Sequence, residues 1–241
     1  MLRITDARTG ESVDAAPSRR GLTRVEAHVP GFDAGALRVL LVADLLVRAL
    51  ELGGTPVWGV LAADAQHSEL RAGADALGIR PLEDRRDVGS GLGEGQVIHV
   101  VGQGWETPEG LRVAVAPVHT AEPGTGEDAD PTALRLALLY RHHSHPVRLD
   151  AEVLADAEAS LVRRRRAVAD WARQPSRPVP EEARTRLRTA WEDNLDMPAV
   201  LDVLTWVETA AEVADGARFE TYAYADRLLG LELTRDLGSP A

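Results

Sequence analysis

The 241 residues of this chain predict an α/β sheet domain over residues 1–130, followed by an all-α helical bundle over residues 131–241. Three observations carry that reading. Apolar runs of strand length alternate with helical patterns as far as residue 130. From Asp130 onward only helical periodicity appears. Two flexible connectors, GSGLGEG at 89–95 and AEPGTGEDA at 121–129, interrupt the first part.

Element by element, residues 25–29 read as a short strand. Residues 36–52 read as a helix, with Leu37, Leu41 and Leu45 on one face and Asp44, Arg48 and Glu51 on another. Gly53-Gly54 ends it. The run PVWGVLA at 56–62 suits a parallel strand buried on both faces. Residues 66–77 read as a second helix, and VIHVV at 97–101 and LRVAVAPV at 111–118 as further strands. Strands alternating with helices imply a parallel, Rossmann-like sheet.

In the second part, Asp130 caps a helix whose first turn accepts Pro131, because a missing N–H costs nothing there. Leu134, Leu138 and Leu139 recur at helical spacing and Pro146 stops the run. Leu154, Ala157, Leu161, Val168 and Trp171 form one stripe. After the Pro-rich link at 174–180, Pro180-Glu181-Glu182 opens a helix with its acids at the positive end of the dipole. Leu187, Trp191 and Leu195 continue it. A further helix runs from Pro198 through Ala214 and a last one over 222–229, making a bundle of four or five helices.

Composition narrows the function classes. A net charge of −11 argues against a general polyanion binder. No run of eighteen apolar residues spans a membrane, and the amino terminus lacks a charged-then-apolar signal, so the cytoplasm is the expected compartment. There is no Cys, hence neither disulfides nor thiolate metal ligands. There is no Lys either: all 27 basic residues are Arg.

The stretch DPTALRLALLYRHHSHPVRL at 130–149 resembles the segment after the KMSKS loop of class I cysteinyl-tRNA synthetases. It is still more similar to the related actinobacterial ligase that joins cysteine to glucosaminyl-inositol in mycothiol synthesis. Other segments follow in family order: the opening LRITDARTGE at 2–11, DLLVRALE at 44–51, LGIRP at 77–81, DNLDMP at 193–198 and LLGLEL at 228–233. The resemblance implies a trimmed class I synthetase-like Rossmann domain, then the helical bundle. The connector at 89–95 falls where the family inserts an extra domain, and the one at 121–129 where KMSKS would lie.

The resemblance also implies a chemistry whose residues are largely missing. The family's first motif, C-G-P-T-V-Y-D-x-x-H-I-G-H-A, matches His28 to Ala36 here. Pro30, Phe32 and Asp33 stay in register, but both phosphate-binding histidines are absent, as is the KMSKS lysine. One such charge-stabilising donor is worth roughly 10²–10³ in rate, so losing both clamps predicts a dead adenylation site. The family also holds zinc with two Cys, a His and a Glu to bind the substrate thiolate. Here His28 stands at the first Cys position, and Glu109 and Gly110 replace two histidines of that motif. No metal and no cofactor are therefore expected, and His28 reads as a strand-end residue.

What remains is a cleft. Ligands of parallel sheets lie beyond the carboxyl ends of the strands. Asp33, Asp64, His99, Gly102, Gln103, Gly104, Trp105 and His119 are the candidate ligand-binding residues, the two glycines admitting a ligand close to the backbone. If Gly104 has a negative φ, Gly104→Val is expected to block binding without harming the fold. His142, His143 and His145 read as structural. Arg163 to Arg166 read as a solvated helix face with Asp156, Glu158 and Asp170 nearby. The chain ends soon after Leu237, before a tRNA-binding domain, so tRNA binding is not expected. The leading reading is a catalytically degenerate cysteine-ligase relative. It would bind an adenine nucleotide or aminoacyl-type small molecule in the cleft, or a protein partner through the bundle. An active ATP-dependent ligase with rearranged residues is the rival, and a structural subunit the third reading.

Overall fold

A computed structural model describes residues 1–17, 21–85, 94–105, 109–121 and 130–238. The connector at 89–95 lies outside the described residues at 89–93, and the one at 121–129 at 122–129. Pro108, which matches the family pattern, lies outside them too.

The opening segment is an antiparallel hairpin, β1 (Arg3–Thr5) with β2 (Ser12–Asp14). The main sheet has five parallel strands: β3 (Leu22–Val29), β4 (Val57–Ala63), β5 (Glu83–Asp84), β6 (Glu94–Gly102) and β7 (Leu111–Val115). Their spatial order is β5-β4-β3-β6-β7, with β3 in the middle. Helices α1 (Ala34–Leu52) and α2 (His67–Ala76) follow β3 and β4, as a Rossmann-like sheet requires.

Strand residues alternate between two faces. Val25, Ala27 and Val29, with Leu61, Ile98, Val100, Val113 and Val115, are apolar and buried. Gly59 belongs to this face, and a Cβ placed on it would touch Val47 of α1. The opposite face carries Arg24, Glu26 and His28 on β3. Register places Glu26 beside His99 of β6. So the central strand is not apolar on both sides, and the polar face is what builds the site.

Helix α1 is buried nearly all round, because the sheet takes one side and the bundle the other. Its expected polar stripe is therefore not solvated. Asp44, 1% exposed, meets Arg48 Nε at 2.8 Å, Arg135 Nη2 at 2.8 Å and Arg80 Nε at 3.3 Å. Arg135 also donates to the carbonyls of Leu77 and Leu229. Burial pushes the Arg135 pKa down, and the Asp44 carboxylate pulls the other way.

The bundle has five helices: α3 (Pro131–Leu139), α4 (Ala151–Trp171), α5 (Glu181–Glu192), α6 (Met197–Thr209) and α7 (Asp215–Leu229). Asp130 accepts from Thr132 N–H at the head of α3, as its sequence predicts. Sheet and bundle share one continuous core. Arg38, buried in α1, donates to the carbonyls of Ala116, Arg141, His142 and His145 and so ties the end of β7 to the turn after α3.

Five expectations need correcting. The run 111–118 is not one strand: β7 stops at Val115, and Val118–Thr120 forms β8. β8 pairs in parallel with β9 (Val147–Leu149), a strand in the part expected to be wholly helical. Three residues with a buried-exposed-buried pattern give too short a signal to separate from a loop. Helix α6 stops at Thr209 because Arg218 donates to the carbonyls of Val207 and Ala210, and α7 starts seven residues before the expected 222. Leu195 does not continue α5, since Asn194 and Leu195 take left-handed φ values of 53° and 56°. Finally, the run 163–166 is not a uniformly solvated face. Arg164 and Arg165 are buried, and Arg165 donates to the carbonyls of Leu231 and Glu232.

Candidate ligand cleft

A cleft of about 720 Å³ opens at the carboxyl edge of β3, β4 and β6. Its walls include His28 near the end of β3 and Pro30 after it, Ala62 to Asp64 at the end of β4, Asp84 of β5 and Arg85 beyond it, and Trp105 beyond β6. This is where a parallel sheet places a ligand, because neighbouring connections diverge there.

The predicted residues separate on inspection. Asp64 and Trp105 line the cleft. His99 lies beneath it, 4% exposed, with Nδ1 2.9 Å from His28 Nε2. Gly102 closes β6, but the space above it is filled: a Cβ there would sit 2.5 Å from the Trp105 indole. Gly102 thus admits the tryptophan and not a ligand. Gln103 and Gly104 are exposed in the turn that follows, Gln103 N–H donating to Val115 O. Gly104 has φ +85°, so valine there would be strained, and the proposed Gly104→Val test does not separate binding from folding. Asp33 caps α1, its Oδ1 accepting from Ala36 N–H at 2.6 Å. His119 sits exposed on β8, in the small ladder with β9.

Glu26 escaped the sequence reading. It is 3% exposed, and its Oε2 lies 3.4 Å from His99 Nδ1 and 3.8 Å from His28 Nε2. Its Oε1 faces Arg85 Nε at 3.5 Å. Burial works to raise the Glu26 carboxyl, but the His99 hydrogen bond and the neighbouring positive groups hold it below the ordinary value. Burial pushes His28 down to about 4 against the attraction of Glu26, so its imidazole is neutral at pH 7. The missed signal was the alternation Arg24, Glu26, His28 along a strand otherwise apolar at every second position.

The family's zinc set does not fit here, because the chain has no Cys and Gly110 stands where that motif has a histidine. The geometry gives a reason for the glycine. A Cβ at Gly110 would press on the His99 ring at 3.0 Å, and the φ of +144° there disfavours any side chain, so a histidine would be strained beside His99. Among the described residues, Glu26, His28 and His99 are the group whose ligand atoms converge.

The histidines after α3 are structural. Asn194 O meets His142 Nε2 at 2.9 Å and His143 Nε2 at 3.0 Å. Burial pushes His143 down to about 4, against the pull of the Ala114 and Asn194 carbonyls.

The sheet and bundle define a Rossmann-like α/β protein carrying an appended helical bundle. No family model matches the chain. Curated relatives do. The L-cysteine:1D-myo-inositol 2-amino-2-deoxy-alpha-D-glucopyranoside ligase of Streptosporangium roseum is 37% identical over 111 residues, 44% of this chain and 26% of the ligase. Ligases of the same name from Geodermatophilus obscurus and Rhodococcus jostii are 37% and 35% identical over 114 residues, or 45% and 46% of this chain. The chain spans about a quarter of the length of the curated relatives it matches. Nearly half of the chain is thus similar to these cysteine ligases. Among the described residues, no helix is long and apolar enough to cross a membrane.

Proposed function

We propose that the chain is a ligand-binding relative of the cysteine ligases, which keeps their scaffold and has lost adenylate formation. The observation that carries this reading is the make-up of the cleft. Two carboxylates, Asp64 and Asp84, and one guanidinium, Arg85, line it with the Trp105 indole and the neutral His28. No lysine is present to hold polyphosphate. Such a wall suits an aminoacyl-type ligand better than a nucleoside triphosphate. An ammonium would sit against Asp64 or Asp84, a carboxyl or carbonyl oxygen against Arg85, and an apolar or aromatic part against Trp105. Within that ligand class an aminoacyl-adenylate mimic fits better than ATP, since it carries an amine and spreads far less negative charge.

The experiment is a thermal-shift panel of amino acids, AMP, ATP and non-hydrolysable aminoacyl-adenylate mimics. A ligand held at about 100 times its Kd adds about 2.7 kcal/mol of apparent stability, which is several degrees for a chain of this size. Amine-bearing ligands should shift the midpoint and ATP should not. Asp64→Asn should then weaken binding about tenfold while leaving the unliganded midpoint in place. A panel with no shift, or one in which ATP alone shifts the midpoint, contradicts the reading.

A further inference from the structure

We propose that Glu26, His28 and His99 form a three-ligand site for a divalent transition-metal ion of the zinc type, built from a different residue set than the family's. The three facing atoms, Glu26 Oε2, His28 Nε2 and His99 Nδ1, are separated by 2.9, 3.4 and 3.8 Å. A point equidistant from atoms so spaced lies about 2.0 Å from each, which is the length of a Zn–N or Zn–O bond. Two imidazoles and one carboxylate are donors that favour zinc and its neighbours over calcium or magnesium, which prefer oxygen alone.

The surroundings match such a site. Glu26 and His99 are held by adjacent strands in parallel register, so their separation is fixed by the sheet and not by loops. His28 is two residues further along β3, on the same face. Arg85 engages the other oxygen of Glu26, leaving Oε2 free to bind through one atom. Gly110 leaves the His99 ring room against the neighbouring chain. Three protein ligands leave a four-coordinate ion one position for an outside group, the pattern of zinc sites that meet a ligand and not of closed structural ones. Of the three side chains, His28 is the one that lines the cleft.

The test uses the untagged full chain. After equilibration with zinc and dialysis, elemental analysis should give one zinc per chain. Cobalt(II) should give the intense visible bands of a low-coordinate ion. Glu26→Gln and His28→Gln, checked for folding by circular dichroism, should each weaken zinc binding more than tenfold, the loss that removing even a supporting group costs a metal site. Exchanging both His142 and His145 for glutamine should leave the stoichiometry at one. No saturable zinc uptake by the wild-type chain would overturn the proposal and leave the three residues as a hydrogen-bonded network alone. So would uptake that survives both cluster variants, or that vanishes in the His142/His145 variant.

Discussion

Single residues show where the inherited sequence is used. Asp44, Arg48, Arg80 and Arg135 lie in three separate segments that resemble the ligases, and Leu77 and Leu229 supply the carbonyls that Arg135 also needs. Those segments meet around one buried carboxylate. Asp44→Asn leaves Arg135 buried without its counter-charge, and breaking such a pair costs about 3–5 kcal/mol. Urea unfolding should show a loss of that size. A loss below about 1 kcal/mol would mean the arginines pair elsewhere. Asp33 gives the opposite lesson. Its place in the family motif suggested a ligand contact, whereas its carboxylate caps α1. Asp33→Ala should cost about 1 kcal/mol of stability and leave ligand affinity unchanged. A matching loss of affinity in titration calorimetry would return Asp33 to the binding site. The resemblance to a motif named these residues, but only packing separates an anchor from a ligand contact.

Among elements, four of the five strands of the main sheet and its helices were legible because apolar runs and glycine stops are strong local signals, while the two-residue edge strand β5 was not. β8 and β9 were not, since each is three residues long and they pair with one another across intervening chain. The polar face of β3 was readable in principle as alternation, yet a strand read only over 25–29 left Arg24 out of the pattern and Glu26 unnoticed. The turn after α3 joins elements in another way. Asn194, in left-handed backbone after α5, accepts from Thr5 N–H through its side chain and meets both His142 and His143 through its carbonyl. Because His143 is held neutral, with its pKa near 4 against about 6.5 when unfolded, its contribution to stability is full above pH 6.5. It is lost as the pH falls towards 4, since the unfolded chain takes up the proton first. From pH 7 to pH 5 this amounts to about 2 kcal/mol. Denaturant titrations of wild type and His143→Gln should show a shallower fall in the variant, the remaining slope belonging to other ionisable groups. Parallel curves would show that His143 does not titrate between those states.

At the scale of the whole molecule, a Rossmann-like sheet with a cleft at its carboxyl edge packs against a helical bundle. Sheet and bundle pack on one core, tied by Arg38, the Asp44 cluster and the β8–β9 ladder. The segments that identify its descent are anchors between elements. Around the cleft stand the Asp33 cap of α1, a tryptophan folded over Gly102 and two aspartates. The resemblance and the fold were readable from sequence, because the resembling segments supply the anchors between elements. The site was only partly readable, because its members Glu26, His28 and His99 meet through strand register and not through a contiguous motif. The most direct test of the central claim is amino-acid-dependent exchange of pyrophosphate into ATP, run with cysteine and each of the other amino acids. Exchange indistinguishable from the enzyme-free control is the predicted result. Robust exchange with any one of them would contradict it and make the chain an active ligase working with a different set of residues.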